Sequence, residues 1–139
     1  RKDAVAGVVY DTLKNKFIFV NQYRPGSNTE IIEIAAGTLD IEGEDPREAM
    51  IREIDEEIGY KTDKIVLIDE CYMSPGGSSE VITIYYCEVS NKIHSGGGLE
   101  NEDIDVIEMD LDEVLSTRFR DAKTIIGINY IKHNLNNFK

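Results

Sequence analysis

The stretch Asp45-Pro46-Arg47-Glu48-Ala49-Met50-Ile51-Arg52-Glu53-Ile54-Asp55-Glu56-Glu57-Ile58-Gly59 carries helix punctuation at both ends and a heavy load of acid between them. Asp45 suits an N-cap, Pro46 suits the first helical position, and Glu48 stands where it would close a capping box. Met50, Ile54 and Ile58 recur every four residues and should face a core, and Gly59 supplies the stop. The spacing therefore predicts a helix from Pro46 to Ile58. Its last two turns hold Glu53, Asp55, Glu56 and Glu57, where the macrodipole disfavours each anion by about 0.3–1 kcal/mol. Glu53 and Glu57 fall on one face and Glu56 can reach it. Helix stability does not call for this arrangement, although Arg52 can offset some of it by pairing with Glu48 or Glu56. Two readings follow: a solvated acidic face, or oxygen ligands gathered for a hard divalent ion such as Mg²⁺ or Mn²⁺.

On either side of this helix lie strand-like runs. Ala4 to Tyr10 and Phe17 to Val20 read as a hairpin across Asp11 to Asn15, and Ile31, Ile32 and Ile34 read as a short strand entering Gly37. The segment from Gly37 to Gly43 is expected to be loop. Lys64 to Asp69, Val81 to Val89 and Ile104 to Met109 are further strands, separated by the loops Ser74–Ser79 and His94–Asn101. Asp110 with Glu113 repeats the N-cap pattern, and Asp121 opens a last helix with Ile128, Ile131 and Leu135 on one side. Strands covered by three helices predict an α/β/α sandwich with a mixed sheet, and no repeat or linker divides residues 1–139.

Composition narrows the function classes. The chain has 139 residues and a formal charge of −12, which repels a nucleic-acid backbone and leaves small phosphorylated ligands accessible only with cations present. No run of apolar residues is long enough for a membrane helix and no signal peptide is visible, so a cytoplasmic location is expected. Cys71 and Cys87 lack metal-site spacing and read as two buried thiols. His94 and His133 read as surface residues, and no Ser or Cys has a triad arrangement. Gly96-Gly97-Gly98 precedes an acidic loop rather than opening a helix, so it is no dinucleotide fingerprint, and mobility of a substrate loop is its expected use. Acids brought to strand ends by loops, Glu80 after one and Glu100, Glu102 and Asp103 after the other, add to the carboxylates of the helix.

Gly37, Glu44 and Arg52-Glu53-Ile54-Asp55-Glu56-Glu57-Ile58-Gly59-Tyr60 together resemble the Nudix box, the signature of hydrolases acting on nucleoside diphosphates linked to another group. The second half matches closely; in the first, six residues separate Gly37 from Glu44 where the usual box has five. Gln22-Tyr23-Arg24, Ala36-Gly37, Tyr72-Met73-Ser74-Pro75-Gly76-Gly77 with Glu80, and Glu100-Asn101-Glu102-Asp103-Ile104 look like the nucleoside-diphosphate-sugar branch, which includes ADP-ribose and GDP-mannose pyrophosphatases.

The resemblance implies a Nudix-type sandwich and metal-dependent hydrolysis of a nucleotide sugar to a nucleoside monophosphate and a sugar phosphate. It implies Mg²⁺, with Mn²⁺ as a substitute, on Glu53, Glu57, Glu56, the Ala36 carbonyl and Glu102, with Arg52 pairing with Glu44. Glu100 is the implied base, with a solvated loop residue as the competing reading. Arg24 is the candidate for the diphosphate or sugar, since its fork donates two hydrogen bonds. Glu80, Ser74 and Gly76 would shape the sugar side, and Tyr23 or Tyr72 would stack on base or sugar. Relatives in this branch usually form homodimers, often using strands upstream of the present start, so a homodimer is expected and an upstream segment can belong to the protein. Alternatives are a hydrolase of oxidised nucleoside triphosphates and a non-catalytic Nudix-like nucleotide-binding module.

Overall fold

Eight consecutive residues with no exposed side chain, Ala4–Asp11, form the central strand β1 of the computed structural model, which describes residues 3–98 and 103–139. A strand buried on both faces needs a covering layer on each side. Alternate residues meet them: Ala4, Ala6, Val8 and Tyr10 face one core, and Val5 and Val9 face the other. The remaining strands are β2 (Lys16–Arg24), β3 (Thr29–Glu33), β4 (Ala35–Thr38), β5 (Tyr60–Tyr72), β6 (Val81–Lys92) and β7 (Asp105–Met109). Helix α1 (Pro46–Glu53) runs into a π turn (Ile54–Ile58) and packs on one face of the sheet with Met50, Ile54 and Ile58. Helices α2 (Leu111–Ser116) and α3 (Ala122–His133) cover the other face with Val114, Ile128 and Ile131. The expected mixed-sheet sandwich is therefore the observed architecture.

The sheet order is β3-β2-β1-β6-β5, with β4 on β1 and β7 on β2. Among the described strands only β1 and β6 run parallel, along the whole of Ala4–Asp11. The functional consequence of this topology is a fork. Strands β1 and β2 pair only from Val9–Ile18 to Asp11–Lys16. Below that, β1 takes β4 as its neighbour, from Gly7–Ala35 to Ala4–Thr38, while β2 takes β3, from Val20–Glu33 to Arg24–Thr29. Ile34 sits where the two pairs part. Its N–H is satisfied by Thr124 Oγ at 3.0 Å, so α3 closes the fork from one side.

Several local expectations are corrected. The predicted helix over 46–58 is an α-helix only to Glu53, because Gly59 N–H reaches both Ile54 O and Asp55 O and widens the last turn. Periodicity over five residues does not separate 3.6 from 4.4 residues per turn. Asp45 caps Arg47 N–H rather than the third helical amide, and no capping box forms there. The complete box is at α2, where Asp110 and Glu113 exchange bonds of 2.8 and 3.1 Å. Gly37 and Thr38 belong to strand because they pair with Val5 and Ala4. Strand β5 is longer than Lys64–Asp69 because the long β6 templates it, across register shifts. Leu135 lies beyond α3, in a 3-10 turn that carries Phe138 into an aromatic cluster with Tyr10, Phe17 and Tyr86. Cys71, on edge strand β5, is only half-buried, whereas Cys87 is buried and its thiol is pushed up to about 12 by desolvation.

Helix α3 lies so close to β1 that a Cβ at Gly127 would overlap the Val8 side chain. Gly127→Ala should therefore cost about 1–3 kcal/mol through overpacking. Urea unfolding should show a lower midpoint at unchanged slope.

Candidate active site

The fork places the end of the acidic helix against β4. Glu57 is 5 % exposed, and its Oε1 accepts the Ala36 N–H at 2.9 Å. Glu53 lies over Gly37, where any Cβ would collide with its carboxylate. The glycine before the helix thus lets the Glu53 side chain lie directly on the β4 backbone. Arg52 grips Glu44 with two bonds, Nε to Oε2 at 3.2 Å and Nη2 to Oε1 at 3.1 Å. Its Nη1 also donates to Glu53 at 3.1 Å and to Glu56 at 3.5 Å. The hydrogen bonds to Glu44 and the surrounding carboxylates drive this guanidinium further toward the protonated form. One cation therefore holds together acids that would otherwise repel one another.

Glu57 opens onto a cavity of about 330 Å³ lined also by Gln22, Arg24, Ala36, Gly37, Glu80 and Lys123. Among the residues singled out from sequence, Arg24, Ala36, Glu57 and Glu80 meet there. Tyr23 and Tyr72 do not line it. Tyr23 donates to Asn28 at 2.6 Å, and Tyr72 borders a separate shallow groove formed by residues 75–79, which includes Gly76. Ser74 starts that loop, its carbonyl accepting from the Gly77 and Ser78 amides. Glu100 and Glu102 lie outside the described residues.

Arg24 is already paired within the cavity wall. Its Nε and Nη2 are engaged by Glu33 at 2.6 and 2.8 Å, which leaves Nη1 as the nitrogen without a partner among the described residues. Glu33 is 2 % exposed and also accepts from Lys123 at 2.7 Å. Lys123 in turn bonds Asp121 at 2.9 Å. Burial pushes the Glu33 carboxyl up, but the hydrogen bonds and charges of Arg24 and Lys123 outweigh it, so the group titrates below its usual range. Sequence reasoning missed both Glu33 and Lys123. A signal for the latter existed: a lysine in the first turn of α3 opposes the helix dipole and asks for an anion elsewhere.

The glycine run 96–98 packs against the acidic helix. Its amides are hydrogen-bonded to the end of the acidic helix, Gly97 to Glu57 O and Gly98 to Glu56 O. His94 and His133 are exposed, as anticipated.

Residues 1–126 match the NUDIX domain family. The chain belongs to the Nudix family. Among curated relatives, it is 36 % identical over 137 residues to the methanol dehydrogenase activator of Bacillus methanolicus, covering 95 % of this chain and 74 % of that protein. It is 32 % identical over 137 residues to the GDP-mannose pyrophosphatase of Escherichia coli K12, covering 90 % and 71 %. A crystal structure of an ADP compounds hydrolase superposes with a TM-score of 0.81 at 20 % identity, covering 99 % of this chain and 74 % of that one, and so shares the fold. Nudix hydrolases generally use divalent metal ions. Carboxylates on Glu53, Glu56 and Glu57 beside the Ala36 peptide fit such an ion by donor chemistry. Among the described residues no three metal-binding side chains already converge. Glu53 and Glu56 instead lean on Arg52.

The Glu33 network gives a pH signature. A carboxyl with a depressed folded pKa stabilises fully above its unfolded value, near 4.5, and loses that contribution as pH falls through the folded value. Glu33→Gln leaves Arg24 and Lys123 without their shared counter-charge and should cost about 3 kcal/mol at pH 7. Denaturation across a pH series should show the gap to the parent protein closing below about pH 4.5.

Proposed function

We propose that this Nudix hydrolase cleaves the diphosphate of a nucleoside-diphosphate sugar to a nucleoside monophosphate and a sugar phosphate, with GDP-mannose the first substrate to test and ADP-ribose the second. The observation that carries the reading is Glu57, a nearly buried carboxylate at the carbonyl end of a helix, tied to Ala36 in the wall of a cavity that also holds Arg24 and Lys123. Carboxylate oxygens placed beside a peptide carbonyl in a cavity wall suit a hard divalent cation. The activities after which the Escherichia coli relative and the structural neighbour are named agree with a diphosphate substrate.

In this reading Glu53, Glu56, Glu57, the Ala36 carbonyl and Glu102 hold Mg²⁺, which Mn²⁺ can replace. When bound, the metal neutralises non-bridging phosphate oxygens and lowers the pKa of water. The chain's own residues do the rest. Arg24 Nη1 and Lys123 face the diphosphate from the far wall, their positions set by Glu33. Glu80 borders the same cavity and limits the sugar or phosphate end. Arg52 keeps Glu44, Glu53 and Glu56 together before substrate arrives. Glu100 accepts the proton of the attacking water as the bridging P–O bond breaks and the leaving phosphate departs with its electron pair.

We further read residues 1–139 as one catalytic unit of a cytoplasmic homodimer. Among the described residues no helix is long and apolar enough to cross a membrane. Scattering and size-exclusion at micromolar protein should report twice the monomer mass, and a strictly monomeric profile removes the dimer.

The decisive assay is product identification over a nucleotide-sugar panel with and without Mg²⁺. Glu57→Gln should fold, retain its thermal midpoint within a few degrees, and lose about a hundredfold or more in kcat. Parent-like turnover in that variant rejects the assignment of Glu57, and release of inorganic pyrophosphate from oxidised nucleoside triphosphates would favour the housecleaning alternative.

A further inference from the structure

The carbonyl end of a helix leaves backbone acceptors without intrahelical partners. Here a strap, residues 93–98, fills them from a distant part of the chain. Ile93 and His94 donate to Gly59 O at 2.7 and 3.2 Å, Gly97 to Glu57 O at 2.7 Å, and Gly98 to Glu56 O at 3.0 Å. Two of these acceptors are the carbonyls of Glu56 and Glu57 themselves. The path is open only to glycine: Gly96, Gly97 and Gly98 have φ of 74°, 100° and 80°, and a Cβ at Gly96 would lie 2.6 Å from Glu57 O. At Gly59 a Cβ would strike the His94 carbonyl.

Among the described residues, the His94 side chain fastens this strap. His94 Nδ1 stands 3.0 Å from the Gly96 N–H, and Nε2 stands 2.8 Å from Asp55 Oδ1. Accepting at Nδ1 places the ring proton on Nε2, from which it is donated to Asp55. The imidazole thus bridges the turn of the strap to the π turn between Glu53 and Glu56. Its side chain is 45 % exposed, so it contributes little to either core and its removal opens no buried cavity.

We infer that His94 is a positioning residue for the acidic cluster, holding the backbone of Glu56 and Glu57 so that the Glu57 carboxylate presents to β4 and the cavity while that of Glu56 stays beside Arg52. The consequence for cation binding rests on the proposed function; the mechanical tie does not. A ring that docks the strap keeps three peptide units at the π turn from fluctuating, and removing it loosens the ligands without dismantling the sheet.

The test uses the metal-free chain and Mn²⁺ alone as the probe. In His94→Ala, amide exchange at Gly97 and Gly98 should quicken about tenfold or more, while amides of β1 and β6 keep their protection. Titration calorimetry should show Mn²⁺ affinity about tenfold weaker, the size expected when support behind a ligand is lost. With substrate, kcat should fall while KM stays within about twofold. His94→Asn, which keeps an acceptor for Gly96 but cannot reach Asp55, should give intermediate values of both exchange and affinity. Unchanged exchange at Gly97 and Gly98 in His94→Ala overturns the inference. So does quickened exchange with parent-like Mn²⁺ affinity. If the parent chain binds no Mn²⁺, the metal reading of the proposed function fails instead, and the strap is then decided by exchange and by the backbone shifts of Glu56 and Glu57.

Discussion

Glu57 is a carboxylate kept from water at the negative end of a helix, and much of the molecule is arranged around tolerating it. Its Oε1 takes the Ala36 N–H, its carbonyl takes the Gly97 N–H, and its neighbours Glu53 and Glu56 share the Arg52 guanidinium. Each of these partners comes from a different segment: the fourth strand, the strap after the sixth, and the helix itself. The acid cluster therefore ties together parts of the chain that packing alone would leave independent. Arg52 is what makes the crowding tolerable, because like charges are gathered where the helix dipole already opposes them.

The second constraint is the division of the sheet. Parting β1 from β2 lets β3 and β4 enter the gap, and that gap is where Glu57, Ala36 and Gly37 face Arg24 across the cavity. Its far wall is electrostatic. Glu33, buried at the end of β3, binds Arg24 from β2 and Lys123 from α3, so one anion sets the position of two cations. Thr124 adds a neutral link between α3 and the Ile34 amide, itself held by Asp121 at 2.7 Å. In a chain of formal charge −12, these two cations line the cavity that Glu57 and Glu80 also line.

Much of this was legible in the residues. The β-rich run from Ala4 to Tyr10 and the four-residue spacing of Met50, Ile54 and Ile58 were readable because apolar runs and apolar periodicity mark the residues a core takes up. Glu53, Glu56 and Glu57 were visible because acids at a helix end contradict local energetics and so ask for an external reason. Glu33 and Lys123 were hidden: neither carries a periodic or spacing signal, and their meaning is a pairing over ninety positions of sequence. Tyr23 and Tyr72 were attractive as aromatic residues near a recognisable segment, yet each points to its own surface.

Sequence alone determined the elements whose causes are local: the central strand, the acidic helix with its glycine stop, and the carboxylate chemistry that hard cations favour. Tertiary structure decided what depends on contact between remote segments. It converted the last turn to a π turn, engaged Arg24 with Glu33, brought Lys123 into the cavity wall, and placed the amides of Gly97 and Gly98 on the carbonyl end of the acidic helix. The physical reason is that hydrogen bonds and ion pairs act over a few ångströms of space, and only a folded chain makes residues distant in sequence neighbours at that range.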